Sequence, residues 1–310
     1  MLDLVRLRVL LELRRRGTAG AVADALGYSP SAVSQQLAQL QRDVGVPVVE
    51  RAGRRLRLTE AGEVLAEHAE SLLEAARRAE EHALAASGRV TGTVRVVGFQ
   101  TAILHLLAPA LPRLAGAYPD LVVDVLDDEY VRILQALVLQ EVDLVLSGEY
   151  SHLGAPPRPE LASEALFDEP MRILLPAAHP LAAGPGRVRM ADLAGATWAT
   201  GHLGTNHANL LEHTCLELGG FRPRVRYRSN DLLVIFAMVQ RGAAAFVPDL
   251  SLAEEQPGVA VRELEGGMRR RMVMWWRAGG EPRPAVCAVQ EEIRRAAAEL
   301  VANRPSLLRE

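Results

Sequence analysis

Residues 29–45 read SPSAVSQQLAQLQRDVG, and this stretch decides the fold of the N-terminal part of the chain. Ser29 followed by Pro30 is a typical helix start, because a serine side chain caps the first turn and proline fits the first helical position. Gly45 is a typical helix end. Apolar residues recur at helical spacing between these ends. They are Val33, Leu37 and Leu40. The stretch therefore predicts an amphipathic helix with a small-polar outer face.

Two further helices are predicted before this one. Residues 2–16 carry apolar side chains at helical spacing and end at Gly17, and Thr18 can cap a second helix that runs to Leu26 and ends at Gly27. The apolar stripe of the first helix consists of Leu2, Val5, Val9, Leu10 and Leu13. Short helices, a tight turn and a last helix with a small-polar face are typical of a helix-turn-helix.

The residues of this last helix and of the segment after it favour contact with DNA. Serine and glutamine can donate to and accept from base edges in the major groove, and a helix N-terminus can lie against phosphate. Residues 48–59, VVERAGRRLRLT, place two β-prone pieces around Gly53, as in a basic hairpin wing. Its arginines are Arg51, Arg54, Arg55 and Arg57. They can contact phosphate or the minor groove, although an arginine run alone can also be a solvated surface.

The charge distribution also favours a polyanionic partner for this part of the chain. The formal net charge of the whole chain is -3. Residues 1–58 contain ten arginines against five acidic residues, which gives +5 and leaves -8 for the remainder. A basic N-terminal segment before an acidic remainder indicates that residues 1–58 alone bind a polyanion.

The run from residue 21 to residue 62, AVADALGYSPSAVSQQLAQLQRDVGVPVVERAGRRLRLTEAG, resembles the signature of the LysR family of bacterial transcription regulators. The shared features are the paired helices, Ala-Val-Ser-Gln in the last helix, Glu50-Arg51, and Leu-Thr-Glu-Ala-Gly before a long helix. The pair Val48-Val49 stands where the family usually has Leu-Phe, which changes a packing pair. The resemblance implies DNA contacts by the last helix and the wing. With the residue chemistry, it predicts Ser29, Pro30, Ser31, Ser34, Gln35, Gln39, Arg51, Arg54 and Arg55 as DNA-binding residues.

Residues 59–88 predict a long connecting helix that Thr59 caps, with an acidic first turn that suits the helix dipole. Apolar and small residues recur at alternating spacings of four and three, which is a heptad seam. The predicted dimerisation residues are Leu65, Ala69, Leu72, Ala76, Ala79 and Ala83. The resemblance supports pairing through this helix, since LysR-type proteins form dimers and commonly tetramers. The alternative is a helix that packs on its own chain.

Residues 89–310 predict an effector-binding domain. Short apolar strands alternate with helices, which favours a parallel α/β sheet, and the pattern restarts near residue 171. These two lobes resemble the periplasmic-binding-protein-like fold (type 2) that the LysR family uses as its sensor. By analogy, lobe one comprises about residues 92–164 and 266–310, and lobe two comprises about 165–265.

Ligands of open α/β sheets bind at the carboxyl ends of the strands, so the loops at these ends predict the effector site. The predicted effector-binding residues are Phe99, Gln100, Thr101, Ser147, Gly148, Gly201, His202, Thr205, Asn230 and Pro248. In the family, positions that match Gln100, Thr101, Ser147 and His202 commonly contact the effector. Gln100 and Thr101 precede a helix, where amides and side-chain oxygens can hold a carboxylate. His202, Thr205 and His207 favour an anionic or hydrogen-bonding effector, unless the two histidines are surface loop residues.

Other sites in the body are weaker hypotheses. His202, His207, His213 and Cys215 match no common zinc-ligand spacing. Cys215 is expected to be a small buried residue, and a redox pair with Cys287 is the alternative. The acidic cluster Asp127, Asp128 and Glu129 can attract a cationic effector, but a solvated strand end explains it as well.

Several function classes are disfavoured. The sequence has no P-loop, no Gly-x-Ser-x-Gly elbow and no paired-carboxylate motif, so it predicts neither an enzyme nor a cofactor site. No apolar run reaches the roughly 20 residues of a membrane span, and charges interrupt the apolar N-terminal stretch that an export signal needs. Two cysteines fit a reducing compartment. The rival hypothesis of a solute-binding transport protein requires an export signal.

The sequence thus predicts a multi-domain α+β chain. It consists of an all-α winged helix-turn-helix at 1–58, a linker helix at 59–88 and a two-lobed α/β body at 89–310. The predicted partners are double-stranded DNA, a small-molecule effector, further copies of this chain and RNA polymerase, in the cytoplasm and without a membrane.

Overall fold

The computed structural model describes residues 1–52, 55–128, 133–150, 158–184, 186–252, 257–279 and 282–307, and at 51, 52 and 55 it describes the backbone alone. The chain divides into two compact units, Met1–Ser87 and Gly88–Glu310. No helix in the described part of the chain is both long and apolar enough to cross a membrane.

The first unit consists of helices with a two-stranded wing. Its elements are α1 (Leu4–Arg16), α2 (Ala19–Leu26), α3 (Pro30–Val44), β1 (Val49–Ala52), β2 (Arg55–Leu58) and α4 (Glu60–Ala86). The predicted caps are confirmed, because the hydroxyl oxygens of Thr18, Ser29 and Thr59 each accept a hydrogen bond from a backbone N–H in the first turn. The strands β1 and β2 are antiparallel.

The core of this unit forms between α1, α3 and the start of α4. The predicted stripe of α3 is confirmed, since Val33, Leu37 and Leu40 are all buried. The stripe of α1 is partly wrong: Leu2 and Val5 are exposed. Asp3 caps this helix, so it begins two residues later than expected and its buried face is different. That face consists of Leu7, Val9, Leu10, Leu11 and Leu13.

A close backbone approach joins the wing to α4. Gly62 lies in the first turn of α4, and a Cβ atom at this position would lie 2.0 Å from the carbonyl oxygen of Val48. The Thr59 hydroxyl donates to the carbonyl of Pro47, at 2.7 Å, beside this approach. Only glycine fits here, because the obstacle is backbone that cannot rotate away.

The second unit is a nine-stranded sheet flanked by helices, in two lobes. The elements of its first half are β3 (Gly92–Gly98), α5 (Gln100–Ala102), a π-helical stretch (Ile103–Leu107), α6 (Ala108–Ala117), β4 (Leu121–Asp127), α7 (Ile133–Val138), β5 (Leu144–Tyr150) and β6 (Leu161–Pro176). The elements of its second half are β7 (Thr197–Thr200), α8 (Asn206–Gly219), β8 (Arg224–Arg228), α9 (Leu232–Gln240), β9 (Ala244–Pro248), β10 (Val259–Glu263), β11 (Arg269–Arg277) and α10 (Pro284–Asn303).

The expectation of a parallel sheet is only partly correct. The strand order is β4-β3-β5-β11-β6-β9-β7-β8, with β10 paired to β6. The strands β3, β4 and β5 are parallel, and so are β7, β8 and β9. Between these two groups, β6 and β11 run antiparallel to each other and to their other neighbours. The strand β10 was not predicted.

The chain crosses between the lobes along β6 and again at the start of β11. Residues 161–170 of β6 pair with β11, whereas residues 171–174 pair with β9. Leu166 and Phe167 pack in the core of lobe one, and Met171 and Met268 pack in that of lobe two. These contacts place the crossings at about residues 170 and 268, beside the expected 165 and 265.

We expect Gly62→Ala to destabilise the first unit by about 3 kcal/mol, because the new Cβ must displace the backbone at Val48. Calorimetric unfolding of the full chain measures this loss. Gly20→Ala is the matched control. Gly20 lies in α2, and a Cβ added there would have no neighbour within 4 Å, so alanine should stabilise the helix by about 0.5–1 kcal/mol. Equal effects of the two substitutions would contradict the packing described here.

Candidate DNA interface and effector cleft

The start of α3 presents an exposed polar surface. Ser29, Pro30, Ser31, Ser34 and Gln35 are exposed. Their exposure follows from the opposite face of the helix, whose three apolar side chains are buried in the core. The segment before Gln35 is fixed locally, because the Ser29 oxygen accepts from the Ala32 N–H at 3.2 Å and the Ser34 hydroxyl donates to the Pro30 carbonyl at 3.0 Å.

The two glutamines of the predicted interface differ in their hydrogen bonds. Within the described residues, the amide of Gln35 has no hydrogen-bond partner. Gln39 is half-buried, its Nε2 donates to Asp43 at 2.8 Å, and its Oε1 accepts from Arg42 at 2.6 Å. The bond from Gln39 is the largest cause that lowers the pKa of Asp43. Gln39 is thus occupied by its own helix, and Gln35 has both amide groups available.

The wing follows α3, as expected, and pairs Glu50 with Arg57 across its two strands. The side chains of these two residues lie 3.8 Å apart and are well exposed, so the ion pair leaves Arg57 accessible. Arg54 lies outside the described residues, and so do the side chains of Arg51 and Arg55.

Part of the predicted dimerisation seam of α4 packs within its own unit. Ala69 is fully buried in the core of its own unit, and Leu65 packs against that core. Packing on its own chain therefore accounts for the first turns of α4, and Ala69 is a correction to the seam. Leu72, Ala79 and Ala83 are exposed and Ala76 is half-buried.

In the second unit, hydrogen bonds join the two lobes at the predicted cleft. The Gln100 side-chain oxygen accepts from the Leu232 N–H of lobe two at 3.2 Å. The Asn206 amide, at the start of α8, donates to the Gly148 carbonyl of lobe one at 3.0 Å. These contacts bring the carboxyl ends of β3 and β5 together with the starts of α8 and α9.

The lobe-one wall contains three predicted residues and a buried arginine. Thr101 is buried, and its Oγ1 accepts from Arg270 Nη2 at 2.8 Å. The guanidinium of Arg270 lies over the Phe99 ring, 4.4 Å from the ring centroid. The Ser147 hydroxyl oxygen accepts from the Trp275 indole N–H at 3.0 Å.

The lobe-two wall is formed by the loop after β7 and by the start of α9. The His202 N–H donates to Asn230 Oδ1 at 2.9 Å. Thr205 caps α8 by accepting from the Ala208 N–H, and its hydroxyl donates to the His202 carbonyl at 2.8 Å. A Cβ at Gly201 would lie 2.7 Å from Thr205 Oγ1, so glycine is required for this tight loop.

The remaining predicted residues of this wall have unequal access. The His202 side chain is exposed, whereas Pro248 is buried within β9 opposite Met171. Thr205 has its hydroxyl fully engaged by the protein. Thr205 and Pro248 thus shape the wall more than they offer it hydrogen bonds.

Sequence reasoning missed three polar residues near the cleft. Thr200 ends β7, is buried, and its hydroxyl has no hydrogen-bond partner among the described residues. Arg270 and Glu169 form a fully buried ion pair with Nε to Oε1 at 2.9 Å. The sequence could have indicated Thr200, because this residue directly precedes Gly201, which was predicted to line the cleft. Arg270 and Glu169 could not be found in this way, because their contact depends on the pairing of β6 with β11, which leaves no local pattern in the sequence.

The histidines that were considered for effector contact differ in burial. His207 is buried, and its Nε2 donates to the Phe246 carbonyl at 2.6 Å. Removal from water lowers the pKa of His207. His105, in the π-helical stretch, donates to the Leu250 carbonyl at 2.8 Å, and burial likewise lowers its pKa. Both rings therefore act as neutral donors to backbone.

The two cysteines and the acidic cluster lie in different parts of the second unit. Cys215 is buried in the lobe-two core, where desolvation raises the pKa of its thiol to about 12, and Cys287 lies on α10 of lobe one. Both are free thiols. Partial desolvation is the main cause that raises the pKa of Asp127, although its side chain remains largely exposed, and the charges of Asp128 and Asp231 follow. Glu129 lies outside the described residues. The described part of the chain contains no cluster of three metal-ligating side chains.

A winged helix-turn-helix followed in the chain by a two-lobed α/β body is the architecture of a DNA-binding regulator with a ligand-sensing domain. The family model for the "bacterial regulatory helix-turn-helix protein, lysR family" matches residues 4–63. The model for the "LysR substrate binding domain" matches residues 87–298. The chain therefore belongs to the LysR family of transcriptional regulators, and it is not an enzyme.

Named relatives and solved structures agree with this family. The RuBisCO operon transcriptional regulator of Allochromatium vinosum is 28% identical over 310 residues, covering 96% of this chain and 97% of that protein. A probable hydrogen peroxide-inducible genes activator of Mycobacterium xenopi is 34% identical over 181 residues, 57% of this chain and 92% of that protein.

Two similar structures show the same fold. Full-length CbnR in complex with its target DNA has a TM-score of 0.60 and 21% identity, covering 95% of this chain and all of that one. The Corynebacterium glutamicum OxyR C206 mutant has a TM-score of 0.61 and 24% identity, covering 97% of this chain and 94% of that one.

We expect the stability of the second unit to decrease as pH falls below about 6.5, the ordinary pKa of histidine. The folded chain binds a proton at His207 less readily than the unfolded chain does, so the stabilisation is complete above this pH and is lost below it. His207→Gln should reduce the slope, because glutamine keeps a donor without titrating. Thermal unfolding across this pH range measures the effect. His202→Gln, at an exposed side chain, is the control, and an unchanged slope in His207→Gln would contradict the assignment.

Proposed function

We propose that this regulator reads an operator through the start of α3, grips the DNA backbone with its wing, and senses a small molecule between the lobes of its body. The unengaged amide of Gln35 on an exposed helix face carries the DNA part of the proposal. A glutamine amide can bond both edge groups of adenine in the major groove. Ser29, Pro30, Ser31 and Ser34 surround it on the same surface.

The remaining contacts follow from charge and spacing. Arg51, Arg54 and Arg55 belong to the basic sequence segment 48–59, and their guanidinium groups can hold phosphates or enter the minor groove. Gln39 takes a lesser part, because Asp43 and Arg42 already occupy its amide.

Two copies of the chain pair through α4 in this proposal. The exposed residues Leu72, Ala79 and Ala83, with the half-buried Ala76, form the seam that remains after Ala69 is assigned to the core. A two-fold dimer, or a tetramer built from two such dimers, presents paired helices to an operator with matching symmetry. At a promoter in the cytoplasm, this assembly can also contact RNA polymerase.

We expect Gln35→Ala to weaken binding to the cognate operator by about 1–3 kcal/mol and to leave binding to random DNA nearly unchanged. Arg55→Ala should weaken both alike and reduce the salt dependence of binding, because it removes a phosphate contact. Titrations of operator and random duplexes at several salt concentrations measure both effects. Gln36→Ala is the matched control, since Gln36 bonds Arg6 within the unit. Identical losses for Gln35→Ala and Arg55→Ala on both DNAs would contradict this division of roles.

The chemical class of the effector follows from the hydrogen-bonding groups of the cleft that the protein itself does not engage. The side-chain oxygens of Gln100, Thr101, Ser147 and Asn230 all accept hydrogen bonds from the protein itself. Each of these oxygens thus has one of its two lone pairs engaged, whereas their two amide NH₂ groups and two hydroxyl protons make no hydrogen bond within the described residues. A ligand that offers oxygen acceptors, such as a carboxylate, therefore matches the cleft better than a ligand that offers only donors.

Two other effector classes are less well supported. A cation would be attracted to Asp127, Asp128 and Asp231, but the first of these is well exposed and so hydrated. Some relatives are named as peroxide-inducible activators, and thiol chemistry needs a thiolate. The raised thiol pKa values of Cys215 and Cys287 oppose such chemistry in this chain.

Effector binding can change transcription only if the effector has different affinities for two states of the DNA complex. We propose that these states differ in DNA bending. The effector then shifts the balance between them, and its concentration sets promoter output.

We expect acetate or benzoate to raise the melting temperature of the full chain in a saturable manner at constant ionic strength, and the matched amides, acetamide and benzamide, to have no such effect. Thr101→Val should lower the affinity for both carboxylates about tenfold, because it removes one hydroxyl donor from the cleft and leaves the others in place. Thr93→Val is the control, as Thr93 lies on β3 away from the cleft end of the strand. Equal stabilisation by carboxylates and amides would exclude an anion-selective cleft.

A further inference from the structure

We propose that Arg270 is a positioning residue of the effector cleft, which acts on the effector through Thr101 and is itself held by Glu169. This inference rests on the cleft described above and adds a residue that lies behind its wall. Arg270 is 3% exposed and Glu169 is fully buried. The two residues face each other across β6 and β11, where the chain crosses between the lobes.

The bond from Arg270 to Thr101 decides what the threonine can offer to a ligand. Arg270 Nη2 donates to Thr101 Oγ1 at 2.8 Å. A guanidinium has no acceptor, so the hydroxyl proton of Thr101 cannot point back at it. A donor that carries a positive charge also polarises the hydroxyl and strengthens it as a donor. The arginine thus directs the Thr101 proton away from itself and makes it a better donor.

The surroundings of Arg270 leave it little freedom. Its Nε and Nη2 both donate to Glu169 Oε1, and Glu169 Oε2 accepts from the Leu250 N–H at 2.9 Å. The Phe99 ring supports the face of the guanidinium. Because the carboxylate, the threonine and the ring each hold one side of it, the guanidinium is pre-organised against Thr101.

Gly148 serves the same arrangement. A Cβ at Gly148 would lie 2.7 Å from Arg270 Cδ and 3.2 Å from Cγ. This close approach gives the predicted effector residues Gly148 and Phe99 a different role, which is to make room for Arg270 and to support it. Since the guanidinium is held at its far end, the methylene groups cannot move aside without disturbing the bond to Thr101.

Stability alone does not explain the buried pair. Replacing a buried ion pair by hydrophobic residues of similar volume is often neutral or stabilising, whereas removing one partner leaves an unpaired buried charge, so a tolerated replacement must remove both charges. A paired replacement therefore preserves the fold and removes the positioning. Arg270→Met combined with Glu169→Gln meets this condition, because glutamine keeps an oxygen for the Leu250 N–H.

The experiment compares acetate and benzoate affinities, from the saturable thermal shift of the full chain, in a double-mutant cycle. The wild type, Thr101→Val, the Arg270→Met/Glu169→Gln pair, and the combination of all three are titrated. We expect the pair to lower affinity about tenfold with little change in the melting temperature without ligand. If Arg270 acts through Thr101, the combination should bind no more weakly than Thr101→Val alone.

A matched pair on the same strand serves as the control. Arg294 and Glu164 form an ion pair at 2.9 Å between α10 and β6 with both side chains partly exposed. Arg294→Met/Glu164→Gln should leave carboxylate affinity unchanged. Gly148→Ala is a second route to the same result, since it displaces Arg270 without removing a charge, and it should lower affinity in the wild type but not in the Arg270→Met/Glu169→Gln background.

The outcomes separate this inference from the cleft proposal. Additive losses from Thr101→Val and the Arg270 pair would overturn the positioning role while the cleft proposal stands. A wild type that shows no selective response to either carboxylate would overturn the cleft proposal, and the role of Arg270 with it. Non-additive losses with an unchanged melting temperature support both.

Discussion

The antiparallel pairing of β6 with β11 is the contact on which the body of this regulator depends. Nine residues of β11 pair with β6 in lobe one, and β6 then continues without a break into lobe two to pair with β9 and β10. A slip of one residue would turn Ile173 and Leu175 out of the lobe-two core, because successive side chains alternate between faces. The pairing of β6, which shifts register once against β11 between Met272 and Val273, therefore fixes both lobes and the two sides of the predicted cleft.

The change of partners along β6 occurs at Pro170. Proline has no N–H for a sheet, so it fits where one ladder ends and the next begins. The next residue, Met171, donates its N–H to the Met268 carbonyl at 2.8 Å, which ties the two crossings together. Glu169 lies directly before this point, and its carboxylate joins Arg270 to the Leu250 N–H. Unpaired charges are costly in such a dry place, so the polar groups at the junction favour one arrangement of the crossing segments over alternatives.

Features that depend on local sequence were predictable, and features that depend on distant partners were not. The caps at Thr18, Ser29 and Thr59 and the helices that follow them came from signals within the first turn of each helix. Strand direction in the body depends on which strands pair across the chain, and periodicity carries no such information. For the same reason, β10 and the pairing that buries Arg270 went unrecognised. A heptad of small residues likewise cannot distinguish Ala69, which lies in its own core, from Ala76.

The start of α3 can both stabilise the fold and contact DNA bases. Ser29 uses its oxygen to cap the helix, and Ser34 donates to the carbonyl one turn earlier. Both serines are exposed, yet part of their hydrogen-bonding capacity already stabilises the helix. The Gln35 amide makes no hydrogen bond within the residues that the structure describes, so it can take either orientation that a base pair requires. In Gln39 the neighbouring Asp43 fixes that orientation, and an aspartate four residues after a glutamine is a signal that sequence alone provides. Base selectivity should therefore concentrate on the glutamine that lacks such a neighbour, while the serines fix the position of the helix start.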